Sequence, residues 1–376
     1  MTPRDAVRRR DRGEPCAPSG VGRAACRPRR RIAATVGLLL ALGVTGVPCR
    51  AASRSATRAD LPPGLRPTWR VDFAGYQQAD GAMTIERDGD EVDPYFAFKA
   101  LFVARSRGAD DDGALDRFVD WLLPRAAVDG RIDRYSKRQG AWAATRGADA
   151  DDIALALWIR GLLTRGEGRA LGRDELRALG RARDYLELRL LDRGRGVYRP
   201  LAGDNDPLLM DNVEILESLR AIEALLARRG DAHAAAYWRL RADSLQAAIE
   251  RDFEGVDTLN PATGADAPPD ATGEPAFYPD IVAAPFAWLH GVPRHRAPAR
   301  FDAWLARYGA AWRRNAEHDY PWGLIALVAL DEGRGDVADD WRRAQDRQRQ
   351  AGLWNVLEET AWQALSPAAL AARRSG

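Results

Sequence analysis

The chain has 376 residues, with 56 basic and 54 acidic side chains, four histidines and three cysteines. A chain of this length can bury a large hydrophobic core. All three cysteines lie before residue 50 and the histidines are scattered. This pattern excludes a disulfide framework in the rest of the chain and a zinc site of recognisable spacing.

Residues 1–51 have the pattern of a secretory signal peptide. A basic segment ending at Arg31 precedes an apolar run over residues 32–47, and small residues follow. The run is short for a membrane span, so we expect cleavage, no membrane segment after processing, and a periplasmic or secreted location. Without this segment the basic groups fall from 56 to 45 and the acidic groups from 54 to 51, a net charge of about −6. Such a charge argues against nucleic acid as a partner.

After a predicted linker over residues 52–70, the chain reads as helix after helix. Six segments are apolar on nearly all faces, which predicts enclosed helices: 95–104, 153–163, 213–227, 281–289, 322–330 and 354–365. Five amphipathic segments alternate with them: 113–123, 173–191, 234–253, 300–312 and 336–350.

This alternation predicts an all-α fold, an (α/α)6 toroid in which an outer ring of helices wraps an inner ring. We expect a single domain over residues 71–376. The sixth outer helix is expected to be missing or degenerate after residues 366–372, with the segment before residue 91 in its place. The long loop over residues 260–275, rich in Pro and Gly, is predicted to form a functional rim.

Each enclosed helix begins with polar or aromatic side chains. Inner helices of a toroid run parallel, so their N-termini open on one face and these side chains converge into one cleft. A plain N-cap is the alternative for any single residue, because Asp and Asn accept hydrogen bonds from the first turn and suit its dipole. Three carboxylates within residues 149–152 exceed what a cap needs, and Trp142 and other rings lie near the same helix ends.

Rings that stack on sugar faces, beside carboxylates that bind hydroxyls, are typical of a carbohydrate-binding groove. The predicted substrate-binding residues come from all six helix starts: Tyr95, Asp149, Asp151, Asp152, Asp211, Glu214, Tyr278, Tyr320, Trp322 and Trp354. Among them Asp151 is the strongest candidate.

Three of these clusters resemble motifs of the family 8 glycoside hydrolases, which include the periplasmic endoglucanase of bacterial cellulose-secretion systems. Glu91 stands four residues before Tyr95, as the proton-donating Glu of that family stands before a Tyr at the first inner helix. Asp149-Ala150-Asp151 is similar to the family's sugar-binding Asp-Ala/Gly-Asp motif. Tyr278 with Asp280 is similar to a Tyr-Asp pair whose Asp is the general base.

The resemblance spans roughly residues 86–290. It implies a glycoside hydrolase that acts on a polysaccharide, such as a β-glucan or an exopolysaccharide, with Glu91 as catalytic acid, Asp280 as catalytic base and inversion at the sugar carbon. The sequence departs from the family at Val92, where the family has Gly, and at Pro279, which separates the Tyr-Asp pair. No cofactor and no metal site are expected, although the clustered acids leave room for calcium.

Three alternatives stay open at this point. An (α/α) polysaccharide lyase would use Asn315, His318 and Tyr320. Residues 149–152 also resemble the Asp-x-Asp-Asp motif of class II terpene cyclases, against which export and the absence of repeated Gln-Trp motifs argue. A non-catalytic glycan-binding protein of an exopolysaccharide secretion complex would use the same groove without chemistry.

Overall fold

The structure contains the two predicted sets of helices. The computed structural model describes residues 69–165, 167, 169–253, 261, 275–292, 299–317, 319–350 and 353–375. Twelve α-helices run through these residues: α1 (Pro94–Ser106), α2 (Ala114–Leu122), α3 (Asp151–Arg165), α4 (Arg173–Tyr185), α5 (Leu209–Arg228), α6 (Ala232–Asp252), α7 (Val282–Leu289), α8 (Arg300–Asn315), α9 (Gly323–Asp331), α10 (Gly335–Gln345), α11 (Val356–Ala364) and α12 (Pro367–Ser375).

The odd-numbered helices form the inner ring. In α3 every side chain from Asp151 to Ile159 is buried, and α9 is buried from Gly323 to Ala329. Each inner helix packs against the next one, and α11 closes the ring by packing against α1. The fold is therefore the predicted (α/α)6 toroid. None of the helices in the described ranges combines the length and the apolar character that crossing a bilayer requires.

The sixth outer helix, which was expected to be missing or degenerate, is present as the short helix α12. Pro367 occupies the first position of α12, where its missing N–H is not needed, and Ser366 Oγ accepts a hydrogen bond from the N–H of Ala369 at 3.2 Å. The helix is short, but it packs on α11 and on strand β1 (Trp69–Arg70). The described residues before 91 are mostly irregular, and they join α11 through a hydrogen bond from the N–H of Val356 to Ile85 O at 2.8 Å.

Short strands, which the all-α prediction did not include, surround the ring. Within the described ranges β1 pairs in parallel with β3 (Ala109–Asp110), while β6 (Leu191–Asp192) and β7 (Val197–Tyr198) pair antiparallel. The largest sheet has the antiparallel order β2 (Glu91–Val92), β4 (Asp133–Arg138), β5 (Ala141–Gly147).

The β4–β5 hairpin matters because it leads directly into α3. Its two-residue turn consists of Gln139 and Gly140, whose φ angles are 51° and 82°, as a type I′ turn requires. The pairing of β2 with β4 holds this hairpin beside the start of α1. The hairpin therefore lies between the N-termini of two inner helices.

Replacing Leu157 by Ala tests the enclosure of α3. Leu157 is 2% exposed, so its truncation is expected to lower the free energy of unfolding by about 2–5 kcal/mol through lost burial and a new cavity. Leu240→Ala on α6, where Leu240 is 64% exposed, is the matched control and is expected to change stability by less than about 0.5 kcal/mol. Urea unfolding followed by circular dichroism measures both. Equal losses in the two variants would contradict the inner position of α3.

Candidate active site

Three carboxyl groups meet where two neighbouring inner helices begin, and we refer to Asp152, Asp211 and Glu214 as the carboxyl cluster. Asp152 lies in the first turn of α3, and the other two lie near the start of α5, which packs against α3. Asp152 and Glu214 are buried, whereas Asp211 is half-buried. The charges of Asp152 and Glu214 both act on Asp211. The predicted convergence of helix starts is therefore present for α3 and α5.

Burial and the charges of neighbouring carboxylates favour the protonated forms of Asp152 and Asp211. Burial raises the pKa of Asp152 to about 7, although the N–H of Ile153, which donates to Asp152 Oδ1 at 2.7 Å, acts in the opposite direction. Burial, and then the charges of Asp152 and Glu214, raise the pKa of Asp211 well above its ordinary value. Carboxyl groups that act on each other in this way titrate as a pair. Oδ2 of Asp152 and Oδ2 of Asp211 have no hydrogen-bond partner among the described residues.

Glu214 is held by two side chains of α1. Lys99 forms a buried ion pair with its carboxylate, and Tyr95 Oη donates a hydrogen bond to Glu214 Oε1 at 3.4 Å. Burial and the charge of Glu214 raise the pKa of Tyr95 well above its ordinary value, so that its hydroxyl remains a donor. Glu214 is therefore the ion-paired member of the cluster, and its charge acts on the other two carboxyls.

A buried polar chain continues from Lys99 into the ring. Lys99 Nζ lies 2.8 Å from His290 Nε2, His290 Nδ1 lies 2.6 Å from Glu217 Oε2, and Arg160 donates to Glu217 Oε1 at 2.9 Å. Burial and the charge of Lys99 lower the pKa of His290, so the neutral ring accepts from Lys99 at Nε2 and donates to Glu217 through Nδ1. These side chains line a cavity of about 190 Å³. This chain of polar side chains thereby fixes the position of the Lys99 ammonium group, which pairs with Glu214.

The neighbouring carboxyls Asp151 and Asp152 face different groups. Asp151 is buried, and burial raises its pKa to about 6, with Arg131 opposing and Asp129 adding to the shift. Both of these charged residues lie in the turn before β4. The structure thus brings Asp152, and not the more strongly predicted Asp151, to Asp211.

Arg134 on β4 connects two inner helix starts. Its guanidinium is buried, lies 2.6 Å from the carboxylate of Asp93, which caps α1, and also pairs with Asp149, whose side chain is 74% exposed. Asp149 therefore lies on the rim. Sequence reasoning missed Arg134 because it missed the hairpin, for which the alternating pattern around Gln139-Gly140 was the available signal.

Aromatic rings lie beside the carboxyl cluster. The ring of Tyr278 is 48% exposed, and its centroid lies 5.7 Å from that of Trp322 with 31° between the planes. Phe277 contacts Trp322 edge-on, with 6.2 Å between centroids. Burial, and then the charges of Asp211 and Asp149, raise the pKa of Tyr278 to about 12. Tyr278 is thus within electrostatic reach of both the cluster and the rim.

A second pair of predicted residues joins the same end of the ring through Phe96. The ring of Phe96 lies 5.5 Å from that of Tyr95 and 6.3 Å from that of Tyr320. The starts of α1, α3, α5, α7 and α9 therefore all contribute side chains to one region, as the parallel inner helices predict.

Two predicted rings have other contacts. Trp354 is buried, donates from Nε1 to Glu359 Oε2 at 2.9 Å and stacks on Trp341 at 6.4 Å. Trp142 donates from Nε1 to Asp80 Oδ2 at 2.9 Å on the outside of β5. Both therefore contact core or sheet residues in the structure.

The predicted catalytic pair, Glu91 and Asp280, has described contacts with residues outside the carboxyl cluster. Glu91 is exposed on β2 opposite Ser136. Asp280 Oδ2 accepts a hydrogen bond from the N–H of Ala276 at 2.9 Å, which closes the turn before α7. Among the contacts of the described residues, none joins either carboxylate to Asp152, and their catalytic roles stay predictions.

The alternative lyase residues are only partly within the structure. His318 and most of the predicted rim loop over residues 260–275 lie outside the described residues. Asn315 Nδ2 donates to the carbonyl oxygen of Tyr320 at 3.0 Å, so its amide supports the backbone here. In the described ranges no group of three or more His, Cys, Asp or Glu side chains is suited to hold a metal ion.

Comparison with known proteins identifies the fold but not a family. No family model matches the sequence, and no curated protein is similar enough to be matched. A solved wild-type glycosidase superposes with a TM-score of 0.50 at 15% identity, covering 79% of this chain and 94% of its own. A novel alpha-amylase from Clostridium perfringens matches with a TM-score of 0.50 at 10% identity, over 77% of this chain and 94% of its own. The chain has the toroid fold of these enzymes.

The titration of Asp152 gives stability a measurable pH dependence. Its pKa is raised from 3.8 to about 7 on folding, so within that window the folded protein keeps a proton that the unfolded chain has lost. This contribution to stability is therefore expected to fall as the pH rises from about 4 to about 7. Asp152→Asn removes the titrating group, so its melting temperature is expected to rise relative to that of the parent as the pH increases from about 4 to about 7.

Asp340→Asn, an exposed substitution on α10, is the matched control and is expected to change stability by less than about 0.5 kcal/mol. Differential scanning fluorimetry in a pH series measures all three proteins. A pH-independent difference between Asp152→Asn and the parent would refute the raised pKa.

Proposed function

We propose that this protein is a glycoside hydrolase in which Asp211 donates a proton to the leaving oxygen of a glycan. The observation that carries the proposal is the pair of Asp152 and Asp211, two carboxyl groups at neighbouring helix starts whose pKa values are raised by burial and repulsion. Glycoside hydrolysis needs one carboxyl group whose pKa is raised in this way. Asp211 is the half-buried member and therefore the donor, whereas the fully buried Asp152 raises the pKa of its neighbour.

The aromatic side chains fit the same substrate class. Tyr278 presents an exposed ring, and Trp322 supports it from one side. A pyranose can stack its apolar face on such rings while its hydroxyls bond to carboxyl oxygens. The proximity of Tyr278 to Asp211 would place a stacked sugar next to the proton donor.

The reaction requires two carboxyl groups. Asp211 gives its proton to the glycosidic oxygen as the bond from that oxygen to the anomeric carbon breaks. Water attacks the anomeric carbon, a second carboxylate takes the proton of that water, and Asp211 regains a proton from solvent. Candidates for the second carboxylate are Asp149 on the rim, beside Tyr278, and the sequence-predicted Glu91 and Asp280.

The predicted signal peptide and the motif resemblance to family 8 hydrolases support a polysaccharide or oligosaccharide substrate outside the cytoplasm. An exopolysaccharide secretion complex is the partner that fits this location. The mature protein would then begin near residue 52. N-terminal sequencing of the exported protein tests this start site, and a start at Met1 would refute the processing.

Asp211→Asn is expected to lower kcat by roughly 10²- to 10⁴-fold, because it removes a general acid. The assay is the release of reducing ends from a panel of β-glucans, α-glucans and acidic exopolysaccharides. Asp174→Asn, an exposed change on α4, is the matched control and should retain parent activity. Asp152→Asn should move the alkaline limb of the pH–rate profile to lower pH, because it removes the charge that raises the pKa of Asp211. Full turnover by Asp211→Asn would exclude Asp211 as the donor.

Azide distinguishes the candidates for the second carboxylate. The substitutions are Asp149→Ala, Glu91→Ala and Asp280→Ala. In the variant that has lost the base, azide can occupy the vacated space and attack the anomeric carbon, so rescue of cleavage with formation of a glycosyl azide is expected for that variant alone. Activity in all three variants without azide would show that none of these carboxylates is the base.

A further inference from the structure

The short segment from Tyr320 to Gly323 presents two of the aromatic side chains of the site. Trp322 has a φ of 53° and a ψ of 57°, a left-handed conformation that is unfavourable for a residue other than glycine. Such a conformation persists only where the surroundings enforce it. The contacts around the segment identify what enforces it here.

Side chains from outside the segment hold its backbone at successive positions. Trp312 and Trp341 each donate from Nε1 to the carbonyl oxygen of Pro321, at 3.0 and 3.1 Å. The amide of Asn315 binds the preceding carbonyl, that of Tyr320. These contacts hold the backbone immediately before Trp322. None of them involves the N–H of Trp322 or the N–H of Gly323.

Glu358 of α11 provides the remaining contact. Its buried Oε2 accepts a hydrogen bond from the N–H of Gly323 at 2.7 Å, and the N–H of Trp322 is near enough to the same carboxyl group to lower its pKa. The packing leaves no room for adjustment, because a Cβ added to Gly323 would lie 2.8 Å from Glu358 Oε2 and 2.6 Å from the ring of Trp341. The N–H groups of Trp322 and Gly323 thus both face the Glu358 carboxyl group, with Trp322 in the left-handed conformation.

We propose that Glu358 is a positioning residue, which holds Trp322 against Tyr278 so that the two rings form the sugar-stacking surface of the site. The role as a stacking surface rests on the proposed hydrolase function, whereas the hold on Trp322 does not. A carboxyl group suits this role because its two oxygens can accept from both N–H groups of the turn, whereas the amide of Gln offers only one acceptor oxygen. Burial raises the pKa of Glu358 to about 7, because it disfavours the charged form of the carboxyl group.

The test uses ¹⁹F NMR of the full chain labelled with 5-fluorotryptophan. The sequence has 12 tryptophans, and Trp322→Phe identifies the resonance of Trp322 by its loss. Glu358→Gln is expected to shift or split that resonance. Glu359→Gln is the matched control from the next position of α11, because Glu359 binds Trp354 and Arg349 instead. It should move the resonance of Trp354 and leave that of Trp322 in place. If Glu358→Gln fails to fold, Glu358→Asp, which keeps the charge but shortens the reach, is expected to give the same displacement.

Kinetics on cellopentaose and maltopentaose separate this proposal from the hydrolase assignment. For the oligosaccharide that the parent cleaves, Glu358→Gln should raise KM by roughly tenfold with a smaller change in kcat, since a displaced ring weakens binding more than proton transfer. An unmoved Trp322 resonance in Glu358→Gln would overturn the positioning role while leaving the hydrolase intact. A displaced resonance in a protein that cleaves no glycan would overturn the hydrolase and the stacking role, and retain the hold on Trp322.

Discussion

The site depends on the burial of carboxyl groups at the end of a closed ring of apolar helices. Each inner helix packs on two others, and Asp152 and Asp211 lie where two of these helices begin. The dipole at a helix N-terminus favours an ionised carboxylate by at most about 2 kcal/mol. Burial of an unpaired carboxylate costs several kcal/mol, so burial outweighs the dipole at Asp152 and Asp211, and their pKa values rise.

Two cations decide which carboxylates at this end are ion-paired. Lys99 pairs with Glu214 inside the ring, and Arg134 pairs with Asp149 at the rim. No ion pair of the described residues neutralises Asp152 in the same way, so burial and the charges of Asp151 and Glu214 favour its protonated form. Protonated and ion-paired carboxyl groups therefore lie within one small region. Acid–base chemistry at neutral pH needs carboxyl groups in both of these states.

The sequence predicted the ring better than the site. Continuous apolar runs such as residues 153–163 allow few other structures, so the inner helices and their order were predictable from periodicity. The sixth outer helix and the β4–β5 hairpin were not predictable in this way, because a short alanine-rich segment and a two-residue turn give weak sequence signals. The choice between Asp151 and Asp152 was also beyond the sequence. Consecutive helical residues point about 100° apart, and only the position of α5 decides which one faces Asp211.

A buried carboxylate elsewhere in the same chain has partners that Asp152 lacks among the described residues. Glu175 on α4 is also buried, but Arg169, Arg165 and the N–H of Gly172 bind it, and its pKa is lowered to about 2. Glu175 thus shows that a buried carboxylate of this fold can have ion-pair and hydrogen-bond partners. Asp152 keeps an oxygen without a partner among the described residues, although an apolar side chain of similar volume would often be neutral or stabilising at such a position. The proposed hydrolase function would give this carboxyl group a use, because its charge acts on the pKa of Asp211.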